Sequence, residues 1–144
     1  MSYLASGGSL YIESVDLGLN HTGTEFFDDL GLTYIGDGDD QEIVKIKGGP
    51  DCLATDLSYF ILGGYDPHYR VDRLGANGSS LLCSSEDGYG RMFIKEDEGY
   101  RAISSSVLMA AVASGDSLNL RAFPMSEMVN TFLGYNPSTS LREL

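Results

Sequence analysis

Three short apolar runs follow one another between Ser80 and Ser105, and this succession constrains the fold more than any other stretch of the chain. The runs span residues 80–85, 91–95 and 100–105, and the segments EDGYG and EDEG connect them. Asp-Gly and Glu-Gly steps supply the positive-φ positions that tight connections require. The region therefore predicts three strands in series.

The first third of the chain predicts a strand followed by a short helix. Residues 9–15 form a brief apolar run after a Gly-Gly pair, which is typical of a buried strand. A helix is expected next, with Thr22 or Thr24 as its N-cap and Gly31 at its end, because the apolar side chains between them share one helical face.

The remaining elements are predicted from their periodicity. Alternation of apolar and lysine residues indicates a strand at 44–47, and a second strand is expected within 56–64, whereas 65–78 has the pattern of an irregular segment. Helices are expected at 104–117, which is rich in Ala, Leu and Met, and at 125–133, which carries an amphipathic stripe.

Composition bounds the class of protein. A chain of 144 residues that is 42% hydrophobic is long and apolar enough for one domain, which we place at residues 1–136 with a tail at 137–144. A net charge of −12 argues against nucleic acid as a partner, because phosphate contacts need clustered Lys and Arg. No apolar stretch approaches the length of roughly 18 residues that crosses a bilayer, so membrane insertion is not expected.

The two cysteines, Cys52 and Cys83, fit no zinc spacing. They form either one disulfide or two buried or half-buried free thiols, because a bridge depends on a Cα separation that the sequence does not determine.

One group of candidate ligands lies in the loop that contains Asp37, Asp39 and Asp40. Several carboxylates in a flexible loop suit Ca²⁺, although this loop lacks the glycine and glutamate offsets of an EF-hand. The alternative is a solvated turn that binds no ion. Ca²⁺ is the one cofactor that the sequence suggests.

A second group of candidates follows the first predicted strand. Glu13, Asp16 and His21 lie at and after its end, and open α/β folds place ligands at the carboxyl ends of strands. We therefore expect a ligand-binding site there, with Glu13 or Asp16 beside a crevice. Hydrolytic chemistry would instead need His21 or His68 within reach of a serine or a carboxylate.

Four segments carry a resemblance to a known family: YLASGGSLYIESVDLG, TEFFDDLGLTYIGDG, GYRAISSSVLMAAV and MSEMVNTFLGY. Together they resemble the class I glutamine amidotransferase-like module of large secreted and cell-surface bacterial proteins. The resemblance implies an α/β fold of three αβα layers, with a mostly parallel, flavodoxin-like sheet to which an antiparallel hairpin is added.

The resemblance does not extend to the family's catalytic residues. The expected cysteine elbow is replaced by Glu13-Ser14-Val15-Asp16, and no histidine follows His68. It therefore implies a scaffold without the amidotransferase mechanism, so the catalytic site is predicted to be absent.

The resemblance also implies a strand and a helix upstream of Tyr3, so that either the chain is a fragment truncated at its N-terminus or another copy supplies the missing strand. The first functional hypothesis is then a non-catalytic module of a larger exported or cell-surface bacterial protein, with other domains of that protein as partners. An uncovered sheet edge would allow a homo-oligomer. The alternative hypothesis is a hydrolase that uses His68 or His21.

Overall fold

The computed structural model describes residues 2–38, 45–49, 58–61, 70–97 and 99–115. These ranges contain nine strands, three short α-helices and one 3₁₀ turn. In chain order they are α1 Ser2–Ala5, β1 Ser9–Glu13, α2 Leu17–His21, α3 Glu25–Asp29, β2 Leu32–Gly36, β3 Lys45–Gly48, β4 Ser58–Ile61, β5 Arg73–Ala76, β6 Ser80–Ser85, β7 Gly90–Asp97, β8 Tyr100–Ser105, the 3₁₀ turn Met109–Ala111 and β9 Val112–Gly115.

The strands form one mixed sheet in the order β1-β8-β7-β6-β3-β4-β9, and β2 joins it through β5, which pairs with β7. Among the described strands only β1 and β8 pair in parallel. The α/β class is confirmed, but the prediction of a mostly parallel sheet is wrong for this part of the chain. Parallel pairing needs a crossover of a dozen or more residues, and the connections between β6, β7 and β8 are far shorter.

The three consecutive strands are confirmed as β6, β7 and β8. Each pairs antiparallel with the next, with Leu81 opposite Phe93 and Ile94 opposite Ile103. Gly88 and Gly99 have φ values of 84° and 93° in the two connections. The glycines therefore have the role that the sequence predicts, since a side chain would strain either turn.

The predicted first helix is confirmed as α3. Thr24 is its N-cap, and its Oγ1 accepts a hydrogen bond from the backbone N–H of Phe27. Gly31, with a φ of 67°, follows the helix and reverses the chain toward β2. The sequence did not predict α2, which contains His21 as its last residue, nor β2 and β5, which pair antiparallel.

The helix expected at 104–117 is wrong for its described part. The chain completes β8, makes a 3₁₀ turn and enters β9, which pairs with β4. Isolated helices of this length are marginal, whereas here pairing with β4 gives the backbone its hydrogen bonds, and Val107 and Met109 are buried in an apolar cluster with Met92 and Ile103. The helix expected at 125–133 lies outside the described residues, as does Cys52, while Cys83 is buried in β6.

The central strands β7 and β8 carry buried residues on both faces. Consecutive residues of β7 and β8 point in opposite directions, so Met92 and Ile103 join one apolar cluster while Phe93 and Ala102 join the other. Three side chains from the helical segment cover the second cluster: Leu17 of α2, Phe27 of α3 and Leu30, the C-cap of α3. The longest described helices have five residues, and the flavodoxin-like three-layer arrangement stays a prediction. None of the described helices is long and apolar enough to span a membrane.

Candidate functional site

The best-connected candidate site is built around Asp72, the residue before β5. Asp72 is 0% exposed. Its Oδ2 accepts the backbone N–H groups of Gly18 and Leu19 at 2.6 and 2.9 Å, and its own N–H donates to the carbonyl of Val15 at 2.9 Å. Asp72 therefore ties the entry of β5 to the connection that follows β1.

Two further carboxylates lie beside Asp72. One oxygen of each of Asp16, Asp37 and Asp72 lies within 4.8 Å of the other two, and we call this group the acidic cluster. Within the described residues, Oδ1 of Asp37 and Oδ1 of Asp72 are buried atoms without a hydrogen-bond partner. Nη1 of the exposed Arg70 approaches Oδ2 of Asp37 at 3.7 Å. The cluster thus concentrates negative charge around two unsatisfied oxygens.

The electrostatics of the site follow from this arrangement. Burial raises the pKa of the Asp72 carboxyl, the hydrogen bonds from Leu19 and Gly18 lower it in part, and the charges of Asp16 and Asp37 raise it again. The net effect is a pKa above the usual range of an aspartate. The ionised form of a buried carboxyl group beside two acidic neighbours therefore lowers the stability of the fold.

Tyr34 of β2 lies next to the acidic cluster. Its ring packs on Gly18, where an added Cβ would come within 2.4 Å of the ring. Burial raises the pKa of the Tyr34 phenol, and the charges of Asp72, Asp37 and Asp16 raise it further. The same three carboxylates therefore act on one phenol, which stays protonated.

A glycine allows Asp37 to approach Asp72. A Cβ on Gly38 would lie 2.6 Å from the carbonyl oxygen of Val71 and 2.8 Å from its backbone nitrogen. Because both are backbone atoms, a larger residue would push the chain at 37–38 away from the segment before β5. Gly38 thus allows the chain beside Asp37 to pack closely against the segment that carries Asp72.

Arg91 holds the other side of the segment before β5. This side chain is 1% exposed, and its Nη1 donates to the carbonyls of Val71 and Asp72 at 2.7 and 2.6 Å. Its Nε donates to Ser85 Oγ at 2.7 Å and its Nη2 to Asp87 Oδ2 at 2.6 Å. Arg91 therefore fixes the backbone that carries Asp72, although it does not touch the Asp72 carboxylate.

The Arg91 network changes two pKa values. Burial lowers the pKa of Arg91, and the Asp87 carboxylate opposes that shift. Burial raises the pKa of Asp87, but the hydrogen bonds from Ser85 and Tyr89 and the charge of Arg91 outweigh it and hold the pKa below its usual range. Asp87 is therefore ionised wherever the fold is intact near neutral pH.

Glu13 lies at the end of β1 as expected, but its carboxylate has structural partners. Oε2 accepts the Tyr11 hydroxyl at 2.5 Å and the backbone N–H of Met109 at 2.9 Å. Burial raises the pKa of the Tyr11 phenol, and the hydrogen bond to Glu13 and its charge add to the shift. Glu13 thus connects β1 to the 3₁₀ turn.

The structure brings together only some of the predicted site residues. Asp16 and Asp37, expected in separate sites, lie in one cluster, whereas His21 packs edge-to-face on Phe26 with their ring centroids 5.3 Å apart. Asp39, Asp40 and His68 lie outside the described residues. Their assignments stay predictions.

Sequence reasoning missed Asp72. It lies in the segment 65–78, whose sequence has the pattern of an irregular segment. No local spacing connects it to Asp16 or Asp37, because the three meet through the pairing of β2 with β5 and through the contact between Asp72 and the end of β1. The local sequence around Asp72 shows only that an acidic residue directly follows the apolar Val71.

No family model and no curated protein matches this chain. Two solved structures match it in fold. The cold-adapted β-galactosidase from Rahnella sp. R3 has a TM-score of 0.59 at 11% identity, and the match covers 96% of this chain and 21% of that enzyme. The exo-β-1,4-mannosidase Op5Man5 from Opitutaceae bacterium strain TAV5 has a TM-score of 0.51 at 11% identity, with 93% and 20% covered.

The chain thus spans about a fifth of the length of each matched glycoside hydrolase. At this identity the likeness establishes a shared fold alone. The resemblance to the glutamine amidotransferase-like module, and the exported or cell-surface location that it implies, stay predictions.

Proposed function

We propose that this chain is a non-catalytic α/β module of a larger carbohydrate-active protein, with a structural or partner-binding role. The proposal depends on how much of each chain the structural matches cover. Nearly the whole of this chain matches a unit that makes up about a fifth of each of two glycoside hydrolases. A unit that accounts for such a share of an enzyme is the size of one domain among several.

The described carboxylates support a module over a catalyst. Glycoside cleavage uses two carboxyl groups about 5–5.5 Å or 6.5–9.5 Å apart on either side of a bound sugar. Asp72, the most deeply buried member of the acidic cluster, is 0% exposed and therefore inaccessible to a sugar. Glu13 is held by Tyr11 and Met109.

The hydrolase alternative draws support only from the names of the two matched enzymes. Within the described residues, the His21 ring packs on the ring of Phe26, which cannot serve as a nucleophile. Geometry at His21 therefore does not favour this alternative.

The outer edge of β1 is the surface that we assign to a partner. β1 is the first strand of the sheet order, and within the described ranges β8 is the strand that pairs with it. An open strand edge presents unpaired N–H and C=O groups that a further strand can use. Tyr3, which is 60% exposed, lies beside the start of this strand, where its hydroxyl donates to the carbonyl of Ser9.

The absence of catalysis is tested by incubating the purified chain with aryl β-galactoside and aryl β-mannoside substrates. We expect no release of the aryl group above the buffer rate, and no difference between the wild type and Glu13→Gln. Turnover by the wild type that is lost in Glu13→Gln or Asp16→Asn would contradict the proposal and favour a hydrolase.

Partner binding at the edge is tested by light scattering during size-exclusion chromatography over a hundredfold range of concentration. We expect self-association that weakens about tenfold in Tyr3→Lys, since a charge beside an edge strand disfavours pairing. Leu19→Lys, at a side chain of helix α2 that is 51% exposed and not on a strand, is the matched control and should change nothing. A one-chain mass at every concentration would contradict pairing with a second copy.

A further inference from the structure

We infer that Asp16, Asp37 and Asp72 bind one hard divalent cation, with Ca²⁺ as the preferred ion. The inference concerns a different part of the molecule from the edge of β1 and does not depend on the proposed module function. It starts from the mutual approach of three carboxylates whose oxygens lie within 4.8 Å of one another. Such an approach is repulsive unless a positive charge lies between them.

The buried oxygens are the second, independent observation. Asp72 is 0% exposed, and its Oδ2 is fully used by the N–H groups of Gly18 and Leu19. Its Oδ1 is buried and has no hydrogen-bond partner among the described residues, and the same holds for Oδ1 of Asp37. Native proteins rarely leave such oxygens unsatisfied, because desolvating them without a partner is costly. A cation bound within the acidic cluster would supply such a partner.

The chemistry of the donors selects the class of ion. All three side chains offer oxygen, which suits hard cations and disfavours ions that prefer thiolate or imidazole. Each oxygen–oxygen distance in the acidic cluster is at most 4.8 Å, which is compatible with three oxygens on one Ca²⁺ at Ca–O distances of about 2.3–2.6 Å. Ca²⁺ accepts irregular carboxylate sites, whereas Mg²⁺ demands near-ideal octahedral geometry and loses its waters reluctantly. Ca²⁺ is therefore the preferred ion.

A positively charged side chain, that of Arg70, lies near the acidic cluster and opposes the binding of a cation. Arg70 is 51% exposed and its Nη1 is 3.7 Å from Asp37, so solvent screens its opposition to a cation.

Cation binding would link three segments that are distant in the sequence. Asp16 follows β1, Asp37 follows β2 and Asp72 precedes β5. An ion that binds the folded chain and not the unfolded chain stabilises the fold by mass action. Ligand binding and thermal stability are therefore two readouts of the same site.

The experiment uses the purified chain, stripped with EDTA and dialysed at pH 7.5. Titration calorimetry with CaCl₂ is expected to give one site with a Kd of about 10⁻⁵ to 10⁻³ M. The Tm should rise by several degrees in millimolar CaCl₂ and fall again when excess EDTA is added. MgCl₂ should bind more weakly.

The matched variants separate site binding from general charge. Asp16→Asn removes one ligand whose side chain makes no cap hydrogen bond, so the fold should persist while the Kd rises about tenfold or more. Asp28→Asn changes the net charge equally at an exposed position of α3 and should leave the Kd unchanged. Asp37→Asn serves as the second ligand variant, with the same expectation as Asp16→Asn.

Three results would overturn the inference. The first is no heat of binding and no Tm shift in the folded wild type at up to 10 mM CaCl₂, which would mean that the cluster is held by shared protons. The second is the same Kd in Asp16→Asn, Asp37→Asn and Asp28→Asn. The third is Mg²⁺ binding as tight as Ca²⁺ binding, which would remove the assignment of Ca²⁺.

Discussion

Oδ2 of Asp72 accepts the backbone N–H of Gly18 at 2.6 Å, although the two residues are 54 positions apart in the chain. The bond joins the segment before β5 to the first turn of α2, and a second bond from Leu19 strengthens it. One buried carboxylate therefore fixes the geometry of the connection that leaves β1. The acidic cluster is a consequence of this long-range contact.

Two substitutions at Asp72 should differ in their effect on stability when EDTA keeps the protein free of metal ions. Asp72→Ala leaves the N–H groups of Gly18 and Leu19 without an acceptor in a buried place, which we expect to lower the free energy of unfolding by about 2–4 kcal/mol. Asp72→Asn keeps an accepting oxygen and removes a charge beside Asp16 and Asp37, so stability should be unchanged or higher. Urea denaturation measures both. A loss in Asp72→Asn as large as in Asp72→Ala would contradict this account.

Replacement of Arg91 should be more damaging than that of any exposed arginine. Arg91→Met leaves the carbonyls of Val71 and Asp72 without their donor and removes the partner of Asp87, so we expect a loss of about 3 kcal/mol or more. Arg101→Met is the control, because Arg101 is 40% exposed and its ion pair with Glu96 contributes about 1 kcal/mol or less. Equal losses measured by chemical denaturation would show that the buried network has no special role.

Acid should weaken the fold through Asp87. Its pKa is lower in the folded chain than in the unfolded chain, so its contribution is complete above the unfolded value of about 3.9 and is lost as the pH falls through the folded pKa. We therefore expect the Tm difference between the wild type and Asp87→Asn to be largest near neutral pH and to shrink below about pH 4. A difference that stays constant down to pH 2, measured by calorimetry, would contradict the linkage.

The close approach at Gly38 predicts a pair of glycine variants. Gly38→Ala places a Cβ against the backbone of Val71, so we expect a loss of about 1–3 kcal/mol and weaker Ca²⁺ binding, because Asp37 must move. Gly36→Ala has nothing within 4 Å of the added Cβ and should keep both properties near the wild-type values. Thermal unfolding and calorimetry of the two variants provide the comparison. The same loss in both would mean that flexibility, not contact with Val71, decides the effect.

Local signals predicted some elements well. The strands β6, β7 and β8 and the helix α3 were recognisable because their determinants lie within a few residues: glycines at positive φ, a threonine cap and short apolar runs. The prediction of a helix over the segment 107–115 is wrong because the structure of this segment depends on a distant part of the chain. The residues of the segment favour a helix locally, and a strand from elsewhere in the chain, β4, decides that it becomes an edge.

The candidate site divides in the same way. Local sequence predicted that Asp16 follows a strand and that Asp37 lies in an acidic loop, because acidic residues and glycines commonly follow an apolar run where the chain returns to water. The meeting of these two with Asp72 depends on tertiary structure, since the antiparallel pairing of β2 with β5 sets which loops are neighbours. The burial of Asp72 is tertiary as well, because Arg91 binds its carbonyl and the backbone of α2 binds its carboxylate. Contacts between residues this far apart depend on strand order, which short-range patterns do not encode.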